Sequence, residues 1–148
     1  MCFTAEEAWQ CYVKDKKDSI HFKTIPVSNS EWKDDDLNNK WKRIRYIRSL
    51  VLSEIEEVRN KNIIKSSLQA SVEITLGQED RNLFKNLIAA DLFITSEVNF
   101  LIEEVQTPIV KISSSLGNKC DRCWKILAEV KEDGICKRCS DVIKKHYS

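Results

Sequence analysis

Two Cys-x-x-Cys pairs, Cys120-Asp121-Arg122-Cys123 and Cys136-Lys137-Arg138-Cys139, lie in the C-terminal part of the 148-residue chain with twelve residues between them. Each pair places two thiolates on one tight turn, and two such turns can bring four soft ligands to a single point. Four thiolates in a tetrahedron, each about 2.3 Å from the metal, are typical of structural zinc sites. The spacing therefore predicts a C-terminal zinc finger in which one zinc ion is bound by Cys120, Cys123, Cys136 and Cys139.

Disulfide bonds and an iron–sulfur centre are two other uses of these cysteines. Disulfides need an oxidising compartment, and the start of the chain has neither the basic nor the apolar region of a secretory signal. Iron–sulfur sites usually have more tightly clustered cysteines or a nearby proline. The loop between the pairs is slightly shorter than in the commonest zinc pattern, with Asp133-Gly134 as a turn signal. Four protein ligands leave no open coordination position, so the zinc is predicted to be structural.

The rest of the chain has the periodicity of helices and short strands. Apolar residues recur every three or four positions from Trp41 to Val58, which is helical spacing. Apolar and polar residues alternate from Val72 to Leu76, which is typical of a half-buried strand. The predicted elements are helices over roughly 37–60 and 80–90 and strands over about 72–76, 92–94, 98–102 and 109–113. We therefore expect an α+β fold in which helices cover one face of a small antiparallel sheet.

Composition divides the chain into four segments. They are a helical segment over 1–22, a linker over 23–36, a small α/β domain over 37–115 and the zinc finger over 116–148. The short helix of the first segment cannot bury Trp9 and Tyr12 by itself, so it is expected to have neighbours elsewhere. The finger is too short to bury a core, and metal binding is expected to supply much of its folding free energy.

Charge and composition exclude several classes of function. The net charge is +1, but residues 111–148 carry nine Lys and Arg against five Asp and Glu, a weak signal for an anionic partner such as nucleic acid. A membrane span would need a run of about 18 apolar residues, which the sequence lacks. With three glycines and two histidines, the chain has neither a glycine-rich phosphate loop nor a convincing catalytic histidine. These features indicate a binding module rather than a complete enzyme.

Basic and aromatic side chains surround the two cysteine pairs. The basic ones are candidates for contacts to phosphate: Arg122, Lys125, Lys137 and Arg138. Trp124 directly follows the first pair and either packs on the zinc cluster or lies exposed as a platform for a stacked base. A weaker candidate patch lies on the helix over 37–60, although a charged helix face is usually just solvated. Its members are Arg43, Arg45 and Arg48.

Four motifs are informative in combination. The segments Lys119-Cys120-Asp121-Arg122-Cys123-Trp124 and Ile135-Cys136-Lys137-Arg138-Cys139 look like the zinc finger shared by isoleucyl-tRNA synthetases and formamidopyrimidine-type DNA glycosylases. Phe3-Thr4-Ala5-Glu6-Glu7-Ala8-Trp9 resembles the F-T-A-E-E-x-W motif late in the helical anticodon-binding domain of the synthetases. Ser66-Ser67-Leu68-Gln69-Ala70 resembles their G-S-S-L-E-A motif, and Leu92-Phe93-Ile94-Thr95-Ser96 resembles their L-F-I-V-S strand. Taken in order, these motifs make the chain similar to the C-terminal end of bacterial-type isoleucyl-tRNA synthetases.

This resemblance implies a function that the residues alone do not establish. The family joins isoleucine to its tRNA with ATP in the cytoplasm, and its C-terminal region grips the anticodon side of the tRNA. Residues 1–22 would then be the end of the anticodon-binding domain, and the partners would be tRNA(Ile) and the N-terminal synthetase domains. The family's catalytic H-I-G-H and K-M-S-K-S motifs are absent from this chain, which looks like a truncated piece or part of a split reading frame. We therefore expect no ATP site and no aminoacylation by the chain alone.

Two other functions are consistent with the same residues. One is a free-standing adaptor that binds nucleic acid through the zinc finger. The other is a purely structural module whose finger docks on another protein. The apolar helix at the start of the chain favours the synthetase hypothesis, because such a helix implies a partner domain.

Overall fold

The computed structural model describes residues 1–13, 17–131 and 134–147. The chain divides into two compact units, Met1–Asp34 and Asp35–Ser148, and the boundary between them falls inside the predicted linker. The predicted Asp133-Gly134 turn includes Asp133, which lies outside the described residues. The four-segment division suggested by composition stays a prediction, since both the α/β domain and the zinc finger lie in the second unit.

The first unit is organised around one carboxylate. Helix α1 spans Cys2–Val13 and is followed by two 3₁₀ turns, Ile20–Phe22 and Ser30–Trp32. Glu6, on α1, accepts hydrogen bonds from the Ser19 hydroxyl at 2.8 Å and from the Ile20 backbone N–H at 3.1 Å. These bonds lower the pKa of Glu6 below its ordinary value. No residue of α1 is buried within the described part of the chain, so this unit is held by polar contacts rather than by a core.

The second unit begins with the α/β domain, which confirms the predicted α+β class. Its elements are α2 (Asp35–Asn60), β1 (Ala70–Leu76), α3 (Gln78–Leu83), α4 (Ala89–Phe93), β2 (Glu97–Ile102) and β3 (Ile109–Ser114). The strand order is β2-β1-β3, with β1 antiparallel to β3 but parallel to β2. The sheet is therefore mixed rather than wholly antiparallel, because α3 and α4 carry the chain back across the sheet between β1 and β2.

The strand predicted over residues 92–94 is wrong. Leu92 and Phe93 form the end of helix α4, and Ile94 has a left-handed backbone with φ of 58°. A short apolar run does not distinguish a buried strand from a buried helix end by periodicity alone. Phe93 is fully buried at the end of the helix, as it would also be in a buried strand. The single helix expected over 80–90 is likewise two short helices, α3 and α4, with a break between them.

The core of this domain forms between α2 and one face of the sheet. The helix contributes Ile44, Ile47, Val51 and Ile55, all 2% exposed or less, at the three- and four-residue intervals seen in the sequence. The central strand contributes Val72, Ile74 and Leu76, which are fully buried. Phe84 and Phe93 belong to the same buried cluster. The α/β domain therefore has a hydrophobic core independent of the finger.

The finger follows directly from β3. It consists of a two-stranded antiparallel ladder, β4 (Asn118–Lys119) with β5 (Ile126–Leu127), and of helix α5 (Lys137–Tyr147). Gly117 enters the ladder with φ of +113°, and a Cβ atom there would lie 2.3 Å from the carbonyl oxygen of Leu127. Only glycine fits this close approach between two backbones.

Truncation of a core residue tests this description of the domain. Ile47→Ala should lower the free energy of unfolding by about 2–5 kcal/mol, because it removes buried apolar atoms and leaves a cavity. Ile63→Ala is the matched control, since Ile63 is 58% exposed, and should cost well under half as much. Urea unfolding followed by circular dichroism measures both. Equal losses at the two positions would contradict the assignment of α2 to the core.

Candidate metal centre and its surroundings

The four cysteines of the two pairs meet at one point in the folded chain. Their sulfur atoms all lie within 4.8 Å of one another, and all four are free of disulfide bonds. The sulfur atoms of Cys123 and Cys136 are 3.8 Å apart. A tetrahedron with metal–sulfur bonds of about 2.3 Å has edges of about 3.8 Å. The cluster could therefore hold one metal ion with little movement of the side chains.

Short local elements bring the ligands to this point. Cys120 follows β4, and the turn to Cys123 is closed by the Trp124 backbone N–H, which donates to the Cys120 carbonyl at 2.8 Å. Cys136 immediately precedes α5, and Cys139 lies in its first turn. Val130, 2% exposed, packs against the buried cysteines. Among the described residues of the finger, the apolar side chains packed with the thiols are those of Val130 and Leu127.

The protonation of the thiols suits a bound cation. Burial raises the pKa of Cys120, but backbone N–H donors of Cys123, Cys136 and Arg122 outweigh burial and lower that pKa to about 6. Burial, together with hydrogen bonds to the neighbouring thiols, raises the pKa of Cys136 to about 12. Like charges this close cannot all be present without a compensating positive charge. A soft divalent cation supplies that charge and displaces the remaining protons, so the donor set fits a structural metal.

Two of the predicted phosphate contacts pair instead with one carboxylate of the α/β domain. The Lys125 ammonium lies 2.5 Å from Asp91 Oδ1, and the Arg138 guanidinium lies 3.1 Å from Asp91 Oδ2. The hydrogen bond from Lys125, assisted by Arg138, lowers the pKa of Asp91 below its ordinary value. The Lys125 side chain is only 14% exposed. Asp91 therefore attaches both cysteine turns of the finger to helix α4.

Two arginines of α2 also have partners inside the α/β domain. Arg43 donates from Nε and Nη2 to the two carboxylate oxygens of Asp80, at 2.8 and 2.6 Å. Arg48 donates from Nε to the Leu92 carbonyl at 3.0 Å. These contacts join α2 to α3 and α4. Five of the predicted contacts are exposed to solvent, although Arg138 is exposed while paired with Asp91: Arg45, Arg122, Trp124, Lys137 and Arg138.

Trp124 lies outside the small apolar centre of the finger. Trp124 is 59% exposed, and its backbone is left-handed, with φ of 66°. The Lys119 ammonium lies 5.2 Å from the centre of the ring. Of the two alternatives that the sequence leaves open, the structure has the exposed one.

Sequence reasoning missed the residues that attach the finger to the α/β domain. Besides Asp91, the Ser96 hydroxyl accepts a hydrogen bond from the Ile126 backbone N–H at 2.6 Å and donates to the Leu68 carbonyl at 2.5 Å. Asp91 lies 34 residues from Lys125 and 47 from Arg138. No local pattern indicates pairs so distant in the sequence.

Comparison with known proteins agrees with the motif resemblance. The model of the family described as the anticodon-binding domain of tRNA ligase matches residues 1–74, half of the chain. The chain belongs to this family. The match extends beyond residue 22 and includes α2 and the start of β1.

Full-length relatives are isoleucine--tRNA ligases. The chain is 40% identical over 149 residues to that of Gluconobacter oxydans and 33% identical over 144 residues to that of Zymomonas mobilis, each time with 97% of this chain and 15% of the relative covered. For Desulforamulus reducens the identity is 30% over 167 residues, with 100% of this chain and 18% of the relative covered. The predicted resemblance to the isoleucyl-tRNA synthetases is thus confirmed, and the chain spans less than a fifth of the length of these relatives. Within the described residues, every helix is too short or too polar to cross a bilayer.

Removing the carboxylate of Asp91 tests the attachment of the finger. Asp91→Asn should lower the stability of the finger by about 1 kcal/mol or less, since the ion pairs are partly exposed and screened by salt. Because the pKa of Asp91 is lowered on folding, its contribution is present above the ordinary pKa of an aspartate and is lost as the pH falls through the lowered value. Amide hydrogen exchange of residues 118–127 at several pH values measures this.

Glu103→Gln is the control for Asp91→Asn, because it removes an exposed carboxylate directly after β2. It should leave exchange in the finger unchanged. If both variants behave alike, Asp91 has no specific part in holding the finger.

Proposed function

We propose that this chain is the tRNA-gripping and zinc-binding part of an isoleucine--tRNA ligase. The observation that carries the proposal is the family match over residues 1–74 together with the alignment of 97% of the chain to isoleucine--tRNA ligases. The complete enzyme attaches isoleucine to tRNA(Ile) with ATP, and the part proposed here holds the anticodon side of that tRNA. Remote contacts of this kind fix the orientation of the substrate at the reacting centre. Such a function belongs in the cytoplasm.

The metal of this module is proposed to be Zn²⁺, bound by Cys120, Cys123, Cys136 and Cys139. The support is the all-thiolate donor set and its near-tetrahedral spacing. When bound, the ion supplies no reactive chemistry, because the four thiolates fill its coordination shell. The chain's own residues then hold the two cysteine turns, and the side chains between them, in a fixed arrangement.

The proposed tRNA surface is centred on the exposed face of the finger. Arg122 and Lys137 flank the two cysteine turns, and Trp124 stands beside them with most of its indole in water. Arg45 extends the positive charge along α2. The remaining proposed contacts already have acidic or carbonyl partners and would meet phosphate only by exchanging them: Lys125, Arg138, Arg43 and Arg48.

A protein partner is proposed for the first unit. Phe3, Tyr12, Phe22 and Trp32 are between 80% and 94% exposed. A monomeric protein rarely leaves so many large apolar side chains in water without using them. The remaining domains of a synthetase, which account for most of the length of the relatives, are the partner that fits this surface.

Metal analysis tests the zinc site. Purified chain should contain close to one zinc per molecule, because the four thiolates converge on one point. Cys139→Ser should release the metal and unfold the finger, while the α/β domain, which has its own core, stays folded. Cys11→Ser is the matched control, since Cys11 is exposed on α1, and should keep the zinc. Elemental analysis that finds no metal, or iron in its place, contradicts the proposal.

Binding of a tRNA(Ile) transcript at several salt concentrations tests the proposed surface. Arg122→Ala and Lys137→Ala should each weaken binding and reduce the salt slope by roughly 0.7–0.9, as expected for one lost phosphate contact. Trp124→Ala should lose about 1–3 kcal/mol of binding with little change of slope, since stacking is not ionic.

Lys85→Ala, an exposed lysine of the α/β domain outside the proposed surface, is the control for these substitutions. The zinc content of every variant is measured alongside. If Arg122, Lys137 and Trp124 can all be replaced without effect while zinc stays bound, the finger is a structural docking module instead.

A further inference from the structure

A groove lies where the zinc finger meets the turn before β1. It is lined by Ser66, Leu68 and Gln69 on the side of the α/β domain and by Lys119, Trp124 and Ile126 on the side of the finger. Its volume is about 220 Å³, below the roughly 300–1,000 Å³ of typical pockets for whole small molecules. A space of this size fits one flat ring system rather than a complete ligand.

The amide of Gln69 has a fixed orientation in this groove. Its Oε1 accepts hydrogen bonds from the backbone N–H groups of Lys65, at 2.6 Å, and Ser66, at 3.4 Å. Backbone N–H groups need an acceptor, so the carbonyl end of the amide must face the turn and the NH₂ end must face away from it. Among the described residues, Oε1 accepts both hydrogen bonds of this side chain. Since Gln69 lines the groove, its Nε2 donors are the part of the amide left for a ligand there.

The residues that the finger contributes to the lining include an aromatic and a positively charged side chain. The indole of Trp124 supplies a large π surface, and the Lys119 ammonium lies 5.2 Å from its centre. Leu68 and Ile126 add apolar side chains to the lining. A flat aromatic ring with acceptor atoms on its edge and a phosphate nearby matches this combination of groups.

Hydrogen bonds fix the width of the groove. The Ser96 hydroxyl connects Leu68 on one wall to Ile126 on the other, at 2.5 and 2.6 Å. The Asp91 ion pair with Lys125 attaches the turn that carries Trp124 to helix α4. Since both walls are held before a ligand arrives, little conformational entropy is lost on binding.

We propose that this groove binds one unpaired nucleobase of an RNA, with Gln69 Nε2 donating a hydrogen bond to an acceptor on the base held against Trp124. The inference rests on the proposed function, because it takes RNA as the ligand. It adds a specificity-determining residue from the α/β domain to a surface otherwise made by the finger. Phosphate contacts position an RNA, whereas contacts to base edges discriminate among bases.

The test uses the full zinc-loaded chain and a synthetic RNA nonamer in which every position but the central one is abasic. Four versions carry A, C, G or U at the centre, and a fifth is abasic throughout. The best of the four bases should bind about tenfold more tightly than the fully abasic strand, the range expected for one stacked base. Trp124→Ala should abolish this base-dependent gain and leave binding of the abasic strand unchanged.

Gln69→Glu is the decisive variant. It keeps an acceptor for the Lys65 and Ser66 backbone N–H groups, so the turn keeps its hydrogen bonds, but it replaces the donor by a second acceptor. The affinity ratio between the strand with the best base and the fully abasic strand should fall about five- to tenfold. Gln106→Glu makes the same change of charge at an exposed position between β2 and β3 and should leave the gain unchanged.

Two results would overturn the proposal in distinguishable ways. If the chain binds tRNA(Ile) and the abasic strand but gains nothing from any base, or keeps the full gain in Gln69→Glu, the groove does not bind a base and the proposed function stands. If the chain binds neither tRNA(Ile) nor any of the strands, the proposed function fails and the inference fails with it. Zinc content and thermal unfolding of each variant confirm that the fold is intact.

Discussion

The cost of placing negative charge on four closely spaced cysteines, three of them buried, is the constraint on which the finger depends. Cys120 has a pKa near 6 while that of Cys136 is raised to about 12, so the cluster cannot become fully anionic without a cation. Apart from the thiols, the centre of the finger contains little more than Val130 and Leu127. The two cysteine turns, the short β4–β5 ladder and the start of α5 all converge on these atoms. If the cluster holds the proposed metal, metal binding and folding are coupled in this part of the chain.

Internal ion pairs divide the basic residues into two groups with different physical roles. Lys125 and Arg138 share Asp91, and Arg43 takes both oxygens of Asp80. Their charges are already partly compensated, and they join parts of one unit. Arg122 and Lys137 remain exposed and can act at longer range on an approaching polyanion. Neighbouring basic residues of one segment thus differ in role: some attach the finger to the α/β domain, and others are the ones that the proposed function assigns to recognition.

Local patterns in the sequence predicted the local structure well. The three- and four-residue spacing from Trp41 to Val58 corresponds to α2, the alternation from Val72 corresponds to β1, and the cysteine spacing corresponds to the cluster. The failures have a common origin in distant contacts. Whether 92–94 is a strand or a helix end depends on what its apolar side chains pack against, and periodicity does not contain that information.

The pairing of strands and the docking of the finger were also beyond the reach of local patterns. The parallel pairing of β1 with β2 follows from the path of α3 and α4 across the sheet, which the sequence does not specify directly. The role of Asp91 depends on partners 34 and 47 residues away. The orientation of Gln69 required knowledge of the turn that it closes. The cysteines of the candidate metal site could be found by type and spacing, whereas the residues that hold the modules together could not.

The crossover between β1 and β2 also has a consequence for the order in which the chain folds. Asp91 lies in α4 and Ser96 lies just before β2, so both attachment points of the finger belong to this crossover. Parallel strands pair only after their connection has closed, which makes this the slow, non-local step of the domain. The finger follows its platform in the sequence and therefore leaves the ribosome after it. During synthesis, the finger therefore reaches its final position only on a sheet that is already complete.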